Sequence, residues 1–318
     1  MSTHFPNDNG RVADAPSGNF VYRVLPRWAW PYAQLARWDR PIGWQLLMWP
    51  CFWSTVLAAN AAAPSQPVLG QFVWHLVLFF VGSVAMRGAG CTYNDIVDEQ
   101  IDMAVARTRS RPLPSGRVSR LQAKIFLVLQ ALVGLLVLLS FNLFTIVLGV
   151  LSLAIVAIYP FAKRFTDWPQ FFLGLAFSWG GLVGWSAVFG SLSFSAVLVY
   201  AAAVAWTIGY DTIYAHQDKE DDELIGVRST ARLFGDNTKV WLTGFFAATL
   251  ALLGLAYLAV GVGFTAWLGL VAAAVLFGWQ LLVLDIHDAR QCLALFKLNS
   301  VVGAVIFAGL AVALPFAG

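Results

Sequence analysis

The chain alternates long apolar stretches with short charged segments. Five stretches contain no Asp, Glu, Lys or Arg: residues 41–86, 125–162, 168–210, 240–284 and 298–318. A membrane-spanning helix needs about 20 apolar residues, so each of the four longer stretches holds two helices joined by an uncharged turn, and the last holds one. The pattern therefore predicts an all-α integral membrane protein with nine transmembrane helices.

Turn residues inside the charge-free stretches set the predicted helix boundaries. Gly, Pro, Asn and Ser interrupt the apolar pattern near residues 60–67, 141–142, 190–193 and 261–263. The predicted spans are 42–60, 68–90, 122–140, 143–160, 170–189, 194–212, 240–260, 264–284 and 298–317. Acidic segments follow the second and the sixth span, so the first eight helices divide into two four-helix pseudo-repeats and the ninth stands alone.

Composition supports a membrane protein. Hydrophobic residues make up 59% of the chain and charged residues only 12%, about half of the share in a soluble domain. Such a composition excludes a disordered chain and a secreted disulfide scaffold, and it disfavours a water-soluble enzyme. The net charge of +3 reflects topology and does not indicate nucleic-acid binding.

The charges also predict an orientation. The Asp, Glu, Lys and Arg residues lie in the N-terminal segment, in the loops after the second, fourth, sixth and eighth helices, and at the adjoining span ends, where Arg87, Lys124 and Asp211 are found. Lys and Arg mark the cytoplasmic side of a membrane, so we expect a cytoplasmic N-terminus. Residues 1–36 read as a polar, partly mobile segment, and 37–318 as a single transmembrane domain. The N-terminal segment contains two Asp and few Arg or Ser, which favours a bacterial inner membrane over the mitochondrial inner membrane.

The first acidic segment, residues 93–102, places oxygen-bearing side chains on one face of a helix. At about 100° per residue, Asn94, Asp98 and Asp102 lie at roughly 0°, 40° and 80°. These three residues are called the first stripe below. Asp95 borders it at roughly 100°.

The second acidic segment, residues 210–222, has the same property if it is helical. Asp218 and Asp222 lie at roughly −20° and +20° from Asp211, so three carboxylates again share one face. We call them the second stripe.

Stacked carboxylates need a compensating charge, because like charges one helical turn apart repel. Oxygen ligands without thiolates favour a hard cation such as Mg²⁺, which leaves coordination positions for a phosphate-bearing substrate. Arg107, Arg109 and Arg111 follow the first stripe and suit phosphate oxygens. A solvated helix end remains the alternative for each stripe taken alone, and a topology signal remains the alternative for the arginines.

These segments resemble the two signatures of the intramembrane prenyltransferases. The quoted motifs are Met86-Arg87-Gly88-Ala89-Gly90-Cys91 with the first stripe, Arg111-Pro112-Leu113-Pro114-Ser115-Gly116, Tyr210-Asp211-Thr212 with Tyr214-Ala215, and Arg40-Pro41-Ile42-Gly43. Motifs cover roughly residues 37–235, and topology covers the remainder. The resemblance is strongest to the branch that prenylates 4-hydroxybenzoate in ubiquinone biosynthesis.

The resemblance implies a fold and a reaction. We expect nine helices around a central cavity, with the acidic segments at its cytoplasmic mouth. Mg²⁺ would hold the diphosphate of a polyprenyl diphosphate whose tail stays in the lipid bilayer. The polyprenyl group would pass to the ring carbon ortho to the hydroxyl of 4-hydroxybenzoate, and diphosphate would be released.

The resemblance also assigns residues to roles. The expected metal ligands are Asn94, Asp98, Asp102, Asp218 and Asp222. Arg107, Arg109 and Arg111 would bind the diphosphate, and Asp218 or Asp211 would serve as the catalytic base. The acceptor carboxylate would meet Arg164, Lys163 or Arg40, with Asp95, Tyr214 and Tyr159 in supporting positions.

Two alternatives remain from the sequence. A prenyltransferase of the same family acting on a different aromatic acceptor would share these motifs. A membrane transporter would also combine repeats with acidic residues near a cavity mouth. A transporter is disfavoured because the predicted spans hold no ionisable residue between the quoted motifs and the far side, apart from His75 near the start of the second span.

Overall fold

The computed structural model describes residues 10–13, 15, 18–62, 69–105, 108–218 and 228–314, and within these ranges it is helical without strands. The first half contains α1 (Phe20–Val24), α2 (Trp30–Leu35), α3 (Ile42–Ala62), α4 (Leu69–Ala104), α5 (Arg120–Leu138) and α6 (Leu143–Phe165). The second half contains α7 (Pro169–Phe177), α8 (Gly180–Phe189), α9 (Phe194–Ala215), α10 (Thr230–Phe234), α11 (Thr238–Val260), α12 (Phe264–Val283) and α13 (Ala289–Val312). The all-α class predicted from the sequence is therefore confirmed.

Eight helical segments in the described part of the chain are long and apolar enough to cross a membrane. The predicted count of nine is not reached, because α3 is not among the eight. That helix has 21 residues and lies where the first span was predicted. Polar and tryptophan side chains, including Gln45, Trp49 and Asn60, lower its mean hydropathy.

Most predicted turns lie where the sequence placed them. Asn142 accepts a hydrogen bond from Thr145 N at the start of α6, and Ser193 accepts one from Ala196 N at the start of α9. Gly190 and Gly261 end α8 and α11 with φ values of 64° and 77°, a left-handed conformation that glycine adopts without steric cost. Residues 63–68, in the first predicted turn, lie outside the described part.

Helix α4 continues well past the predicted end of the second span. It runs without interruption from Leu69 to Ala104, so residues 93–102 lie on its last three turns. This continuation was the assumption behind the first stripe. The angular relation of Asn94, Asp98 and Asp102 therefore holds.

The predicted start of the last span at residue 298 is wrong. Helix α13 begins at Ala289, because the Asp288 side chain caps it by accepting hydrogen bonds from the backbone N–H groups of Arg290 and Gln291. The end of the charged segment was a poor guide to the start of this helix. Lys297 lies within the helix, so the last charged residue and the helix start are different positions.

The span predicted at 170–189 consists of two helices, α7 and α8, with a break at Ser178 and Trp179. Glycine lets α8 approach its neighbour closely after this break. A Cβ on Gly184 would lie 2.5 Å from the backbone carbonyl oxygen of Cys51 in α3. A side chain larger than that of glycine would not fit between α8 and α3 at this position. The break and the close contact lie in the same predicted span.

The chain divides into two compact units, residues 1–44 with 81–136, and residues 45–80 with 137–318. The divisions fall inside α3, α4 and α5 rather than in a linker. The single domain expected over residues 37–318 therefore stays a prediction. So do the two pseudo-repeats and the central cavity.

In the first unit, α2 and the loop after α4 pack against α5. Buried Leu35, Leu113, Val118 and Ala123 form one apolar cluster. Short helices α1 and α2 belong to the segment expected to be polar and mobile. Val21 and Trp30 of these helices are buried together, so this part of the N-terminal segment is packed.

In the second unit, α9 is the central helix, and α7, α8, α11 and α13 pack around it. Its side chains are buried along most of its length, including Trp206 and Tyr210. The Trp206 indole donates a hydrogen bond of 2.9 Å to Asn299 Oδ1 of α13. A buried polar group is satisfied in this way, which fixes α13 against α9.

Close packing between α4 and α5 depends on Gly88. A Cβ at this position would overlap Gln130 Oε1 and lie 3.2 Å from Ala36 Cβ. Gln130 is buried, and its amide nitrogen donates to Thr92 Oγ1 at 3.1 Å. Gly90 lies one half-turn further along α4 and has open space around a Cβ.

We expect Gly88→Ala to lower the free energy of unfolding by about 1–3 kcal/mol, because the added methyl displaces Gln130 from Thr92. Gly90→Ala is the matched control in the same helix. It should leave stability unchanged or raise it by up to about 1 kcal/mol, since alanine favours a helix over glycine. Thermal unfolding of the purified protein in detergent measures both, and equal effects would contradict the close contact.

Candidate functional site

The acidic end of α4 is buried. Asp95, Asp98 and Asp102 are 0%, 2% and 6% exposed, and Asn94 is half-buried. A solvated helix end was the alternative interpretation of this segment. Burial of three carboxylates within eight residues excludes that interpretation for the first stripe.

Arginines provide the opposite charge for two of these carboxylates. Arg111 Nη1 donates to Asp102 Oδ2 at 2.9 Å and lies 3.5 Å from Asp95 Oδ1. Arg37 Nη2 donates to the same Asp95 oxygen at 2.6 Å. The sequence argument treated a divalent cation as the compensating charge. In this structure guanidinium groups supply part of the compensating charge, so repulsion between the carboxylates of α4 does not by itself require a metal.

The loop after α4 folds back onto the helix and carries Arg111. The Thr108 hydroxyl donates to the backbone oxygen of Asp102 at 2.9 Å, which closes the first turn of the loop. Val118 N donates to Pro112 O at 3.1 Å, and Leu113 is buried in the apolar cluster with α2 and α5. Arg111 is thus held on both sides by packed residues.

Arg87 is a further cation on the face of the first stripe, and the sequence analysis gave it no role. It precedes Asn94 by two turns, at roughly 20° from it on a helical projection. The side chain lies against the backbone of Gly43, where a Cβ would sit 2.9 Å from Nη2. The quoted motifs contained both residues, and the helical angle was the signal that could have identified Arg87.

The second stripe is only partly described. Helix α9 carries Asp211 and ends at Ala215, and a 3₁₀ turn follows at His216–Asp218. The expectation of one continuous α-helix through this segment is therefore wrong at Asp218. Side-chain contacts of Asp218 and the whole of Asp222 lie outside the described part, so their roles stay predictions.

The other predicted phosphate and carboxylate ligands differ in exposure. Arg109 and Arg164 are exposed, and Lys163 is half-buried. The Arg164 guanidinium lies 5.2 Å above the Phe161 ring, a cation–π contact along α6. Arg107 lies outside the described residues.

Arg40 is engaged by its neighbour in the chain. Its guanidinium lies 3.2 Å from both carboxylate oxygens of Asp39, which is 1% exposed. Sequence reasoning did not single out Asp39. Because Asp39 already neutralises Arg40, the expectation that Arg40 holds an acceptor carboxylate receives no support from its geometry.

The two supporting tyrosines lie on different helices of the second unit. The Tyr214 ring centroid lies 4.5 Å from that of the Phe296 ring of α13, with the two rings tilted by 43°. Tyr159 is half-buried on α6. Neither position tests the expected contact with a substrate.

Metal binding can be tested only against the described side chains. Among these, no group of three or more His, Cys, Asp or Glu is arranged to hold a metal ion. The first stripe alone offers two carboxylates and one amide oxygen. This donor set fits Mg²⁺, which usually takes one or two protein carboxylates. Among the described residues, Oδ2 of buried Asp95 has no hydrogen-bond partner.

We expect Arg111→Met to lower the free energy of unfolding by about 3–5 kcal/mol in the presence of a chelator, because it leaves buried Asp102 without its ion-pair partner. Arg120→Met is the control. Arg120 pairs with Glu99 at the surface and is 60% exposed, so its loss should cost less than about 1 kcal/mol. Denaturant titration in detergent measures both values. Equal losses would contradict a special role of the Arg111 pairs.

This chain is similar in sequence to known proteins along most of its length. Residues 47–301 match the UbiA prenyltransferase family. A relative from Arabidopsis thaliana is 47% identical over 94% of this chain and 72% of its own length. One from Drosophila melanogaster is 50% identical over 88% of this chain and 70% of its own. Both are named 4-hydroxybenzoate polyprenyltransferase, mitochondrial.

These relatives correct the predicted location. They are mitochondrial proteins of eukaryotes, so the expectation of a bacterial inner membrane is wrong. Charge asymmetry distinguishes the two faces of a membrane, but it does not distinguish a bacterial membrane from that of an organelle. The few Asp, Arg and Ser residues near the N-terminus were too weak a basis for the choice.

Solved structures agree on the fold. A UbiA homologue from Aeropyrum pernix is 27% identical, with a TM-score of 0.69 over 84% of this chain and 97% of that protein. A UbiA homologue from Archaeoglobus fulgidus, solved with GPP and Mg²⁺, is 16% identical, with a TM-score of 0.63 over 89% of this chain and 99% of that protein. The family match over residues 47–301 and the relatives at 47% and 50% identity show that this chain belongs to the UbiA prenyltransferase family.

Proposed function

We propose that this protein transfers an all-trans polyprenyl group from polyprenyl diphosphate to 4-hydroxybenzoate, at the ring carbon ortho to the hydroxyl, in ubiquinone biosynthesis. Relatives that carry this activity in their name are 44–50% identical over 88–97% of the chain. The single structural observation in favour is the buried first stripe with Arg111 folded onto it. The buried, charged helix end suits the diphosphate head of the substrate, and the apolar helices suit its polyprenyl tail.

The diphosphate is bound at the end of α4. Asn94, Asp98 and Asp102 would supply oxygen ligands for Mg²⁺, and Asp218 and Asp222 would extend the ligand set. Bound Mg²⁺ supplies positive charge that stabilises the leaving diphosphate. Arg111, already beside Asp102, adds a guanidinium whose planar donors match phosphate oxygens, and Arg107 and Arg109 come shortly before it in the sequence.

Breaking the bond between the prenyl carbon and the diphosphate leaves an allylic cation. Positive charge from the arginines lowers the barrier most where the negative charge of the diphosphate develops. Burial of the first stripe strengthens this effect, because electrostatic interactions are stronger where water is excluded. Water would otherwise capture the cation as an alcohol.

The polyprenyl tail stays in the membrane phase. At about 0.8 kcal/mol for each buried CH₂ group, its transfer to water is prohibitive for a chain of several isoprene units. The apolar membrane-spanning helices offer the tail a lipid-like environment. In the proposed orientation the N-terminus lies on the side of the membrane where Lys and Arg gather.

The acceptor ring attacks the cation from the carbon ortho to its phenol oxygen. A carboxylate of α9 or of the turn after it, Asp211 or Asp218, takes up the phenolic proton as the new C–C bond forms. The proton on the substituted ring carbon is then lost, which restores the aromatic ring, and the phenol oxygen regains a proton. Arg164 is the first choice for the acceptor carboxylate, because its guanidinium is exposed at the end of α6. Lys163 comes second, and Arg40 third because Asp39 already pairs with it.

Membranes that contain the protein should convert 4-hydroxybenzoate and a polyprenyl diphosphate to the 3-polyprenyl product and diphosphate when Mg²⁺ is present. We expect less than about one hundredth of that rate with excess chelator. A panel of aromatic acids, including the 2- and 3-hydroxy isomers, identifies the acceptor by product mass. Turnover with another aromatic acid and none with 4-hydroxybenzoate would refute the acceptor. Vectorial uptake of a solute without transfer would favour a transporter.

Asp98→Asn and Asp218→Asn should each lower the transfer rate about a hundredfold or more, because each removes a metal-binding charge. Glu99→Gln is the control, since Glu99 follows Asp98 in α4 and pairs with Arg120 at the surface. That variant should stay within about twofold of the unmodified protein. Rates are compared at equal amounts of inserted protein. Full activity in both aspartate variants would exclude the metal-binding role of the stripes.

A further inference from the structure

Arg37 has an unusual backbone conformation. Its φ of 58° lies in the left-handed region, and it is the one residue other than glycine with a positive φ in the described part of the chain. Contact between Cβ and the backbone disfavours this region for every residue except glycine. The residue is also buried, which is rare for an arginine.

The contacts of the Arg37 side chain require an arginine at this position, although glycine would suit the backbone conformation. Arg37 Nη2 donates to Asp95 Oδ1 at 2.6 Å, and Nη1 donates to the backbone oxygen of Gln34 at 2.8 Å. Glycine would relieve the backbone strain and leave buried Asp95 without this partner. Strained residues persist where their surroundings fix them and often lie at functional sites.

Asp95 connects Arg37 to the proposed diphosphate site. Arg111 is shared between two carboxylates, with Asp102 at 2.9 Å and Asp95 at the longer distance of 3.5 Å. Arg37 is the closer partner of Asp95. Because Asp95 is already neutralised, Arg111 is drawn mainly to Asp102.

The segment that carries Arg37 is fixed to the loop that carries Arg111. Gln34, whose carbonyl accepts from Arg37, is fully buried, and its Oε1 accepts from Arg117 Nη1 at 2.8 Å. Arg117 Nη2 donates to the backbone oxygen of Ser110 at 2.5 Å. Arg37 and Arg111 are therefore held in register by polar contacts as well as by Asp95.

We propose that Arg37 is a positioning residue of the diphosphate site: by neutralising Asp95 it leaves the Arg111 guanidinium available at Asp102, from which it can turn to the diphosphate. This inference rests on the proposed function, since diphosphate is the ligand. Without Arg37, the buried charge of Asp95 pulls Arg111 away from Asp102 and from the ligand. The effect falls on the diphosphate and not on the aromatic acceptor.

Binding of inorganic pyrophosphate tests this role without catalysis. The measured quantity is the dissociation constant for pyrophosphate at fixed Mg²⁺, obtained from the way the thermal stability of the detergent-purified full chain rises with pyrophosphate concentration. We expect Arg37→Gln to raise it about tenfold, with a similar rise of the KM for the polyprenyl diphosphate. The KM for 4-hydroxybenzoate should stay within about twofold. Arg37→Lys keeps the charge and should stay within about threefold for pyrophosphate.

The double variant Arg37→Gln with Asp95→Asn separates positioning from general stability. Removing both charges removes the attraction of Arg111 to Asp95, so pyrophosphate binding should return to within about threefold of the unmodified protein. Asp95→Asn alone should bind pyrophosphate at least as well as the unmodified protein. This single variant still tests the proposal if Arg37→Gln does not fold. Arg23→Gln, at an exposed position of α1, is the control and should change nothing.

Three results would overturn the proposal: unchanged pyrophosphate binding in Arg37→Gln, a loss that Asp95→Asn does not rescue, or weaker binding in Asp95→Asn alone. A lower melting temperature with unchanged pyrophosphate binding would assign Arg37 a structural role only. The unmodified protein is assayed for prenyl transfer in the same preparation. If it binds pyrophosphate but transfers no prenyl group, the proposed function fails while the effect of Arg37 is still measured.

Discussion

The pairing of buried carboxylates with arginines at the end of α4 is the constraint on which the proposed site depends. Three Asp side chains within eight residues are removed from water there. Burial of unpaired charge is strongly unfavourable, so the loop with Arg111 must fold back and the segment with Arg37 must pack against the helix. Local features that look unrelated, such as the left-handed Arg37 and the turn at Thr108, follow from this requirement.

The same pairing prepares the site for its proposed chemistry. Arg111 occupies Asp102 in the structure and is held there by a packed loop. The diphosphate is negatively charged and its metal ions are positively charged. The diphosphate can therefore replace Asp102 as the partner of Arg111, and a metal ion can replace Arg111 as the partner of Asp102. Affinity for the ligand is then gained by exchange of ion pairs rather than by burial of new charge, which limits the desolvation cost. The apolar helices keep the polyprenyl tail in the lipid phase.

Local signals determined what the sequence predicted correctly. Helix starts at residues 143, 194 and 264, the turns at Gly190 and Gly261, and the continuation of α4 through the first stripe all depend on residues close in sequence. The break between α7 and α8 and the early start of α13 were missed, because a cap and a close contact decide them rather than charge. Family resemblance predicted the activity, and the relatives agree with it.

The arginine partners of the buried carboxylates at the end of α4 could not be predicted in the same way. Arg37 and Asp95 are separated by 58 residues, and a left-handed arginine has no sequence signature. The sequence argument therefore assigned all of the compensating charge to metal. Arg107, Asp222 and the side chain of Asp218 lie outside the described residues, and their roles remain predictions.

The most direct test of the central claim uses 4-hydroxybenzoate with deuterium at all four ring positions. The purified protein, polyprenyl diphosphate and Mg²⁺ are incubated with it, and the product is analysed by mass spectrometry and NMR. Attack from the carbon ortho to the hydroxyl predicts a product that has lost one deuteron from the ring and keeps a free phenol. An ether that retains all ring deuterium, or release of polyprenyl alcohol alone, would contradict the account.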